Sequence, residues 1–209
     1  MVIAIDGPAS AGKGTLARRI AAALGLPHMD TGLLYRATGR RVLDAGADPG
    51  DATAATAAAL ALIPADLARS DLRGPQADRA ASLVATVPAV RAALLAFQRR
   101  VASDGAVLDG RDIGTVVCPA APVKLFVTAD VAARARRRWL ELGQAVPLAE
   151  VEADLRARDA QDAGRATAPL RPAADAVVID TTAMDADAAF AHAMDVVAVR
   201  LGLASTSVC

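Results

Sequence analysis

Asparagine is absent from the 209 residues of this chain, and histidine, cysteine and lysine each occur only twice. Without asparagine there is no Asn-Lys-Xaa-Asp motif to read guanine, which argues against a GTP-dependent switch. The two cysteines, Cys118 and Cys209, make no disulfide framework, and no Cys/His spacing suggests zinc. His28 and His192 stand alone and read as surface or satisfied side chains. No basic flank and apolar core precede the first strand-like run, and the apolar stretch 57–63 is too short to span a bilayer. The expectation is a soluble, cytoplasmic protein without a membrane partner. Formal net charge is zero, so no global field recruits nucleic acid or an anionic surface. Anion binding must come from local clusters of the 21 arginines, since Lys13 and Lys124 are the only lysines. The abundance of arginine and alanine itself implies no function.

What the chain does have is apolar content, 54% hydrophobic against 22% charged, the balance of a globular protein. Its length fits one ordinary domain with a small insert. Strand-like runs at 2–5, 106–108, 123–127 and 176–179, with a weaker one near 27–29, alternate with helical patterns. The helical segments are 13–24, 31–45, 52–62, 76–86, 89–102, 131–142, 148–163 and 187–201. Continuous apolar strands between helices predict an α/β fold with a parallel sheet covered on both faces. Ligands of such sheets sit at the carboxyl ends of strands, and Gly7, Asp30, Asp109 and Thr128 all follow strands. Residues 63–75, rich in Pro, Asp, Arg and Gly, read as loop, and 143–147 break two helices where a lid would hinge.

The most informative stretch is Gly7-Pro8-Ala9-Ser10-Ala11-Gly12-Lys13-Gly14-Thr15, set between the first strand and first helix. A strand, a glycine-rich turn with one lysine and a helix form the setting in which a backbone cradles phosphates. Glycines let successive N–H groups converge on anionic oxygens. The first helical turn adds unpaired donors and the positive end of its dipole. Lys13 adds a mobile charge that can follow a transferring phosphoryl group. The general pattern has Ser or Thr directly after the lysine; here Gly14 intervenes before Thr15. That variant resembles the loop of nucleoside monophosphate kinases rather than that of GTPases.

Two further stretches follow strands: Asp30-Thr31-Gly32-Leu33-Leu34-Tyr35-Arg36 and Leu108-Asp109-Gly110-Arg111-Asp112-Ile113-Gly114-Thr115. Later come Arg158-Asp159-Ala160-Gln161-Asp162-Ala163-Gly164-Arg165, Ala168-Pro169-Leu170 and Ala173-Ala174-Asp175. With Ala80-Ala81-Ser82 and Val90-Arg91, they closely resemble the bacterial cytidylate kinases, in order, from about residue 2 to about residue 201. The resemblance implies a P-loop nucleoside-monophosphate-kinase-like three-layer α/β fold: a five-stranded parallel sheet flanked by helices, a short acceptor-binding insert and a lid. It implies one domain over 1–209, with a core of 1–62, 104–142 and 165–204, an acceptor-binding region 63–103 and a lid 143–164.

The resemblance also implies transfer of the γ-phosphoryl group of ATP to CMP or dCMP, with Mg²⁺. Residues 7–15 would hold ATP, and Lys13, Arg158 and Arg165 would act in transfer. Arg36 and Arg111, with Thr31 nearby, would bind the acceptor phosphate, a task suited to bidentate guanidinium groups. Ser82, Arg91 and Asp112 would read cytosine, since a carboxylate accepts from its exocyclic amine and repels the carbonyl of uracil. Arg158 and Asp162 would meet sugar and phosphates, Tyr35 would be pocket wall, and Asp109 would stand near the magnesium shell, with Thr15 as a further metal candidate. The implied partners are these small nucleotides alone, with no nucleic acid and no membrane, for a monomeric protein. No general base is demanded, because the acceptor phosphate is already anionic and alignment can carry the rate.

Residue spacing gives some of these roles independent chemistry. Arg158, Asp162 and Arg165 stand at i, i+4 and i+7, one helix face; Arg134, Arg137 and Arg138 share a face of the preceding helix. Arg134, Arg136, Arg137 and Arg138 fit a solvated, salt-bridged surface as well as a phosphate clamp. Asp109 fits a strand-end turn cap, and Asp30 an N-cap for the helix beginning at Thr31.

Two departures from the family pattern stand out. Residues 63–79 are too short for the three-stranded insert of relatives, which leaves Ser82 and Arg91 in place but alters the acceptor side. Ser10 replaces a glycine common in relatives, and is expected to matter little if its backbone is ordinary. Other readings are a kinase for UMP, AMP or shikimate, and a non-catalytic nucleotide-binding module.

Overall fold

The computed structural model describes residues 1–202, and Cys209 lies outside them. The β-branched run at the start forms β1 (Val2–Asp6), and Ile3, Ala4 and Ile5 are fully buried because the sheet is covered on both faces. β2 (His28–Asp30), β3 (Ala106–Gly110), β4 (Val123–Thr128) and β5 (Val177–Asp180) join it in the order β2-β3-β1-β4-β5, every neighbouring pair parallel. All five expected strands are present. Asp109 stands opposite both Ile5 and Asp30, so the carboxyl ends of three strands end on one rim.

Parallel neighbours require helical crossovers. The loop after β1 leads into α1 (Lys13–Leu24), whose buried positions Leu16, Ala17, Ile20 and Ala21 keep helical spacing. With α9 (Ala186–Leu201) it covers one face: Leu16, Ile20, Ala193 and Val197 pack on Ile3, Ile5, Val123, Leu125 and Ile179. On the other face, Ala102 and Ile113 pack with Ala4, Ala106 and Leu108.

A second, mainly helical core lies beside the sheet. It is built from α2 (Thr31–Asp44), α3 (Ala52–Leu60), α5 (Pro75–Val84) and α6 (Pro88–Ser103), around Leu34, Val42, Ala55, Val84, Val90 and Leu94. α2 and α5 approach closely at Gly39, where an added Cβ would lie 2.8 Å from the Cβ of Ala80. Asp51 caps α3 by accepting from Thr53 and Ala54 amides, whereas Pro75 and Pro88 open α5 and α6 at positions that need no donor.

The stretch expected to be loop carries α4 (Pro64–Leu67) and a 3₁₀ turn at Ser70–Leu72. Asp66 accepts from the Ile63 amide at 2.9 Å and pairs with Arg41, and Leu72 is buried, so local polar closure overrides the turn-rich composition. A π-helical turn at Ile113–Val117 follows β3 and had no sequence signal. α7 (Val131–Glu141) and α8 (Leu148–Ala163) flank the expected break, where Gly143 and Gln144 both take left-handed backbone, φ 64° and 61°. Ala135, Val151 and Leu155 pack these two helices onto Ala9.

Candidate active site

The loop 7–12 is shaped by its glycines and by what ties its carbonyls. Gly7 has φ 145°, and a Cβ there would lie 1.9 Å from the Val127 carbonyl oxygen, so no other residue fits. Lys13 Nζ donates to the Pro8 carbonyl at 2.6 Å, Arg134 Nη1 to that of Ala9 at 3.2 Å, and the Thr181 hydroxyl lies 3.1 Å from that of Ala11. Among the described residues, the amides of Ala9, Ser10, Ala11 and Gly12 donate to no protein acceptor. A run of available N–H groups ahead of a helix, with carbonyls fastened elsewhere, is an anion cradle. Ser10 departs from expectation: its φ is 58°, left-handed backbone in which an L side chain is strained. Lys13 is buried, and burial, reinforced by the charge of Arg111, draws its pKa well below the usual lysine value.

Asp6 ends the central strand β1, and Asp109 is next to last in its neighbour β3. Asp6 accepts from the Ile113 and Gly114 amides, each at 2.7 Å, and so fixes the π-helical turn directly after Asp112. Burial pushes its pKa up to about 6 despite those two hydrogen bonds. Asp109 does not cap a turn: Oδ1 meets His28 Nε2 at 2.8 Å, and Oδ2 lies 3.5 Å from where a Cβ on Gly14 would stand. His28 is thus a satisfied side chain, and His192 is exposed. Thr31 donates to the Asp109 carbonyl at 2.8 Å, and Thr15, exposed on α1, lies 3.4 Å from Arg18. Asp30 makes no cap hydrogen bond to α2 and instead stands 3.5 Å from Arg36.

Around this rim the arginines form a linked cluster. Arg111 Nε donates to Asp162 Oδ2 at 2.8 Å, and Arg165 Nη2 donates to Asp162 Oδ1. Burial alone would raise the Asp162 pKa, but the Arg111 and Arg165 charges outweigh it and hold the carboxyl below its ordinary range. Arg158 is pushed down to about 10, first by burial and then by Arg111. Arg36 Nη1 and Arg165 Nε are buried with no hydrogen-bond partner among the described residues. Such orphaned cationic donors are costly unless an anion satisfies them.

Two expectations about the helical arginines need correction. α8 ends at Ala163, so Arg165 lies beyond it and returns to Asp162 from the following loop instead of sharing a helix face. Arg134, Arg137 and Arg138 reach three destinations: Ala9 and Asp159, the Thr181 carbonyl, and Asp78, respectively. Arg134 is only 5% exposed and clasps the loop to α8, so a solvated face does not describe it; Arg136 alone of the four is exposed.

Beside the cluster, Tyr35, Arg91 and Asp112 line a cavity of about 180 Å³. Arg91 Nη2 donates to Asp112 Oδ2, and its guanidinium stands 5.6 Å from the Tyr35 ring centroid. Ser82 is buried on α5 but lies outside the lining of this cavity. Gln98 and Thr167 join the lining and had not been singled out; Gln98 falls two helical turns after Arg91, a spacing that marks a shared face. Asp6 and Asp78 were also missed, the first an acid at the end of an apolar strand, the second one turn before Ser82.

The parallel sheet, the phosphate loop at its rim and the facing arginines define a P-loop α/β protein of the phosphotransferase type. Residues 3–198 match the family model described as cytidylate kinase, and the chain belongs to that family. It is 64% identical to the cytidylate kinase of Granulibacter bethesdensis over 201 residues, covering 94% of this chain and 96% of the relative. The cytidylate kinase of Paramagnetospirillum magneticum is 58% identical over 204 residues, covering 94% and 97%. Among solved structures, an uncharacterized protein from Eubacterium ventriosum shares the fold at TM-score 0.54 and 16% identity, covering 93% of this chain and 96% of that one. TT1252 from Thermus thermophilus does so at TM-score 0.51 and 22% identity, covering 96% and 97%.

Proposed function

We propose that this protein transfers the γ-phosphoryl group of ATP to CMP or dCMP, releasing ADP and CDP or dCDP. The observation that carries the reading is the juxtaposition on one rim of an amide cradle with Lys13, an arginine cluster holding orphaned donors, and a cavity walled by the Arg91–Asp112 pair. Residues 7–15 hold the ATP phosphates. Arg36 and Arg111 hold the acceptor phosphate, with Thr31 beside them, and Arg158, Asp162 and Arg165 bound the space between the nucleotides. Arg91 and Asp112, backed by Tyr35 and accompanied by Ser82 on α5, recognise cytosine.

In the transfer, an oxygen of the acceptor phosphate attacks the γ-phosphorus, a new P–O bond forms, and the bond to the β–γ bridging oxygen breaks. Lys13, Arg158 and Arg165 offset the charge on the moving group, and no proton needs to be removed first. Thr15 and Asp109 offer oxygen donors beside the start of α1, while no cluster of three ligating side chains occurs among the described residues. That sparse, hard-oxygen set suits Mg²⁺ held largely by the nucleotide phosphates, where it would neutralise their charge. Residues 63–103 serve as acceptor-binding region and 143–164 as lid, hinged at Gly143 and Gln144, within a single domain. The protein works as a cytoplasmic monomer on small nucleotides, without nucleic acid or membrane; no single helix among the described residues is long and apolar enough to cross one.

An ADP-release assay across CMP, dCMP, UMP, AMP and shikimate tests the reading. Turnover dependent on CMP or dCMP is the expected result. Turnover without an acceptor, or preference for another one, overturns it.

A further inference from the structure

Asp78, on α5, meets arginines from three other helices. Its Oδ1 accepts from Arg36 Nε of α2 at 3.1 Å and stands 3.6 Å from Arg158 Nη1 of α8. Its Oδ2 accepts from Arg138 Nη2 of α7 at 2.7 Å. The carboxylate is 17% exposed, and α5 sets it one turn before Ser82. The two oxygens therefore differ: one enters the gap between two guanidiniums, and the other is anchored to Arg138 alone. Arg36 Nη1 is buried without a hydrogen bond even so, its carboxylate neighbour Asp30 standing 3.5 Å away, and Arg158 is crowded by Arg111, so the gap retains donor capacity that a single carboxylate oxygen does not fill.

We propose that Asp78 is a positioning residue that competes with the acceptor phosphate: its Oδ1 occupies the Arg36–Arg158 gap until a phosphate monoester displaces it. The inference rests on the proposed roles of Arg36 and Arg158. A phosphate dianion brings more charge and more acceptor oxygens than one carboxylate oxygen, so it wins the two guanidiniums. Arg138 keeps the displaced carboxylate by Oδ2. The exchange holds the cationic helices α2, α7 and α8 around an internal anion before substrate arrives, and it weakens substrate binding by the cost of displacement.

The test is the phosphate dependence of binding in Asp78→Asn, compared with the wild-type protein. KM for CMP should fall about fivefold, the scale of one partly exposed charge pair, while the inhibition constant of cytidine, which lacks the phosphate, stays unchanged. Arg138→Ala, which releases the anchor on Oδ2, should raise KM for CMP, and should do nothing further in the Asp78→Asn background. An unchanged or raised KM in folded Asp78→Asn overturns the proposal, as does an equal gain for cytidine, or an Arg138→Ala effect that persists without Asp78. If the wild-type protein phosphorylated no CMP, the functional reading would fall. The exchange would then be read from the dissociation constant of inorganic phosphate, lower in Asp78→Asn if it holds and unchanged if it does not.

Discussion

Arg91 and Asp112 form a buried ion pair in the wall of one cavity, Nη2 on Oδ2, and Asp112 Oδ1 takes no hydrogen bond from the protein among the described residues. One oxygen is spent on orienting the pair and the other is left for a ligand donor. Because the cavity is polar on this side, a base with an amino group satisfies it and a base with a carbonyl repels it. Asp112→Ala should raise the UMP-to-CMP ratio of kcat/KM by about tenfold or more, following the roughly 1–3 kcal/mol of one base-edge contact. An unchanged ratio, measured in a coupled assay, removes Asp112 from base recognition.

Lys13 gives a proton-linkage prediction. Burial and the neighbouring Arg111 lower its pKa in the protein alone, whereas ATP phosphates favour its charged form. Binding of ATP should therefore take up a proton at pH values between the lowered pKa of the free protein and the restored one of the complex. Calorimetry in buffers of different ionisation enthalpy reads this uptake, which should be absent in Lys13→Met.

Asp6 links stability to pH in the opposite sense from a salt-bridged acid. Its folded pKa of about 6 exceeds the unfolded 3.8, so the folded state holds the proton more tightly. Its contribution is present in full below the unfolded value and is lost as pH rises through the folded one. The unfolding free energy of the wild-type protein minus that of Asp6→Asn should fall by about 2 kcal/mol between about pH 4 and about pH 7. Denaturant titrations at a series of pH values check the slope.

The loop offers a pair of substitutions with opposite signs. Gly7→Ala sets a methyl group against the Val127 carbonyl and should cost about 3 kcal/mol or more of stability. Ser10→Gly relieves a left-handed residue, and after the added freedom of the unfolded glycine should gain up to about 1 kcal/mol. Thermal unfolding of both variants decides the signs.

The legible parts of the sequence were those in which one local pattern sufficed. Apolar runs such as 2–5 and 123–127 gave the strands, and glycines around Lys13 gave the phosphate loop, because backbone geometry there is dictated by nearby residues. What escaped depended on distant partners. Asp66 closes a helical turn in a stretch that looked like loop, and Asp6 reaches across the sheet to shape the π-helical turn after Asp112. His28 and Asp109, 81 positions apart, pair only because β2 and β3 are neighbours. Helical periodicity set Arg134, Arg137 and Arg138 on one face, but each long guanidinium chose a separate acceptor.

The most direct test of the central claim, that two nucleotides meet end to end across this rim, is a crystal structure with CMP and a non-hydrolysable ATP analogue. The phosphate of CMP should lie against Arg36 and Arg111, its base against the Arg91–Asp112 pair, and the γ-phosphate beside Lys13. CMP bound away from Arg36, Arg111 and Asp112 would contradict the account.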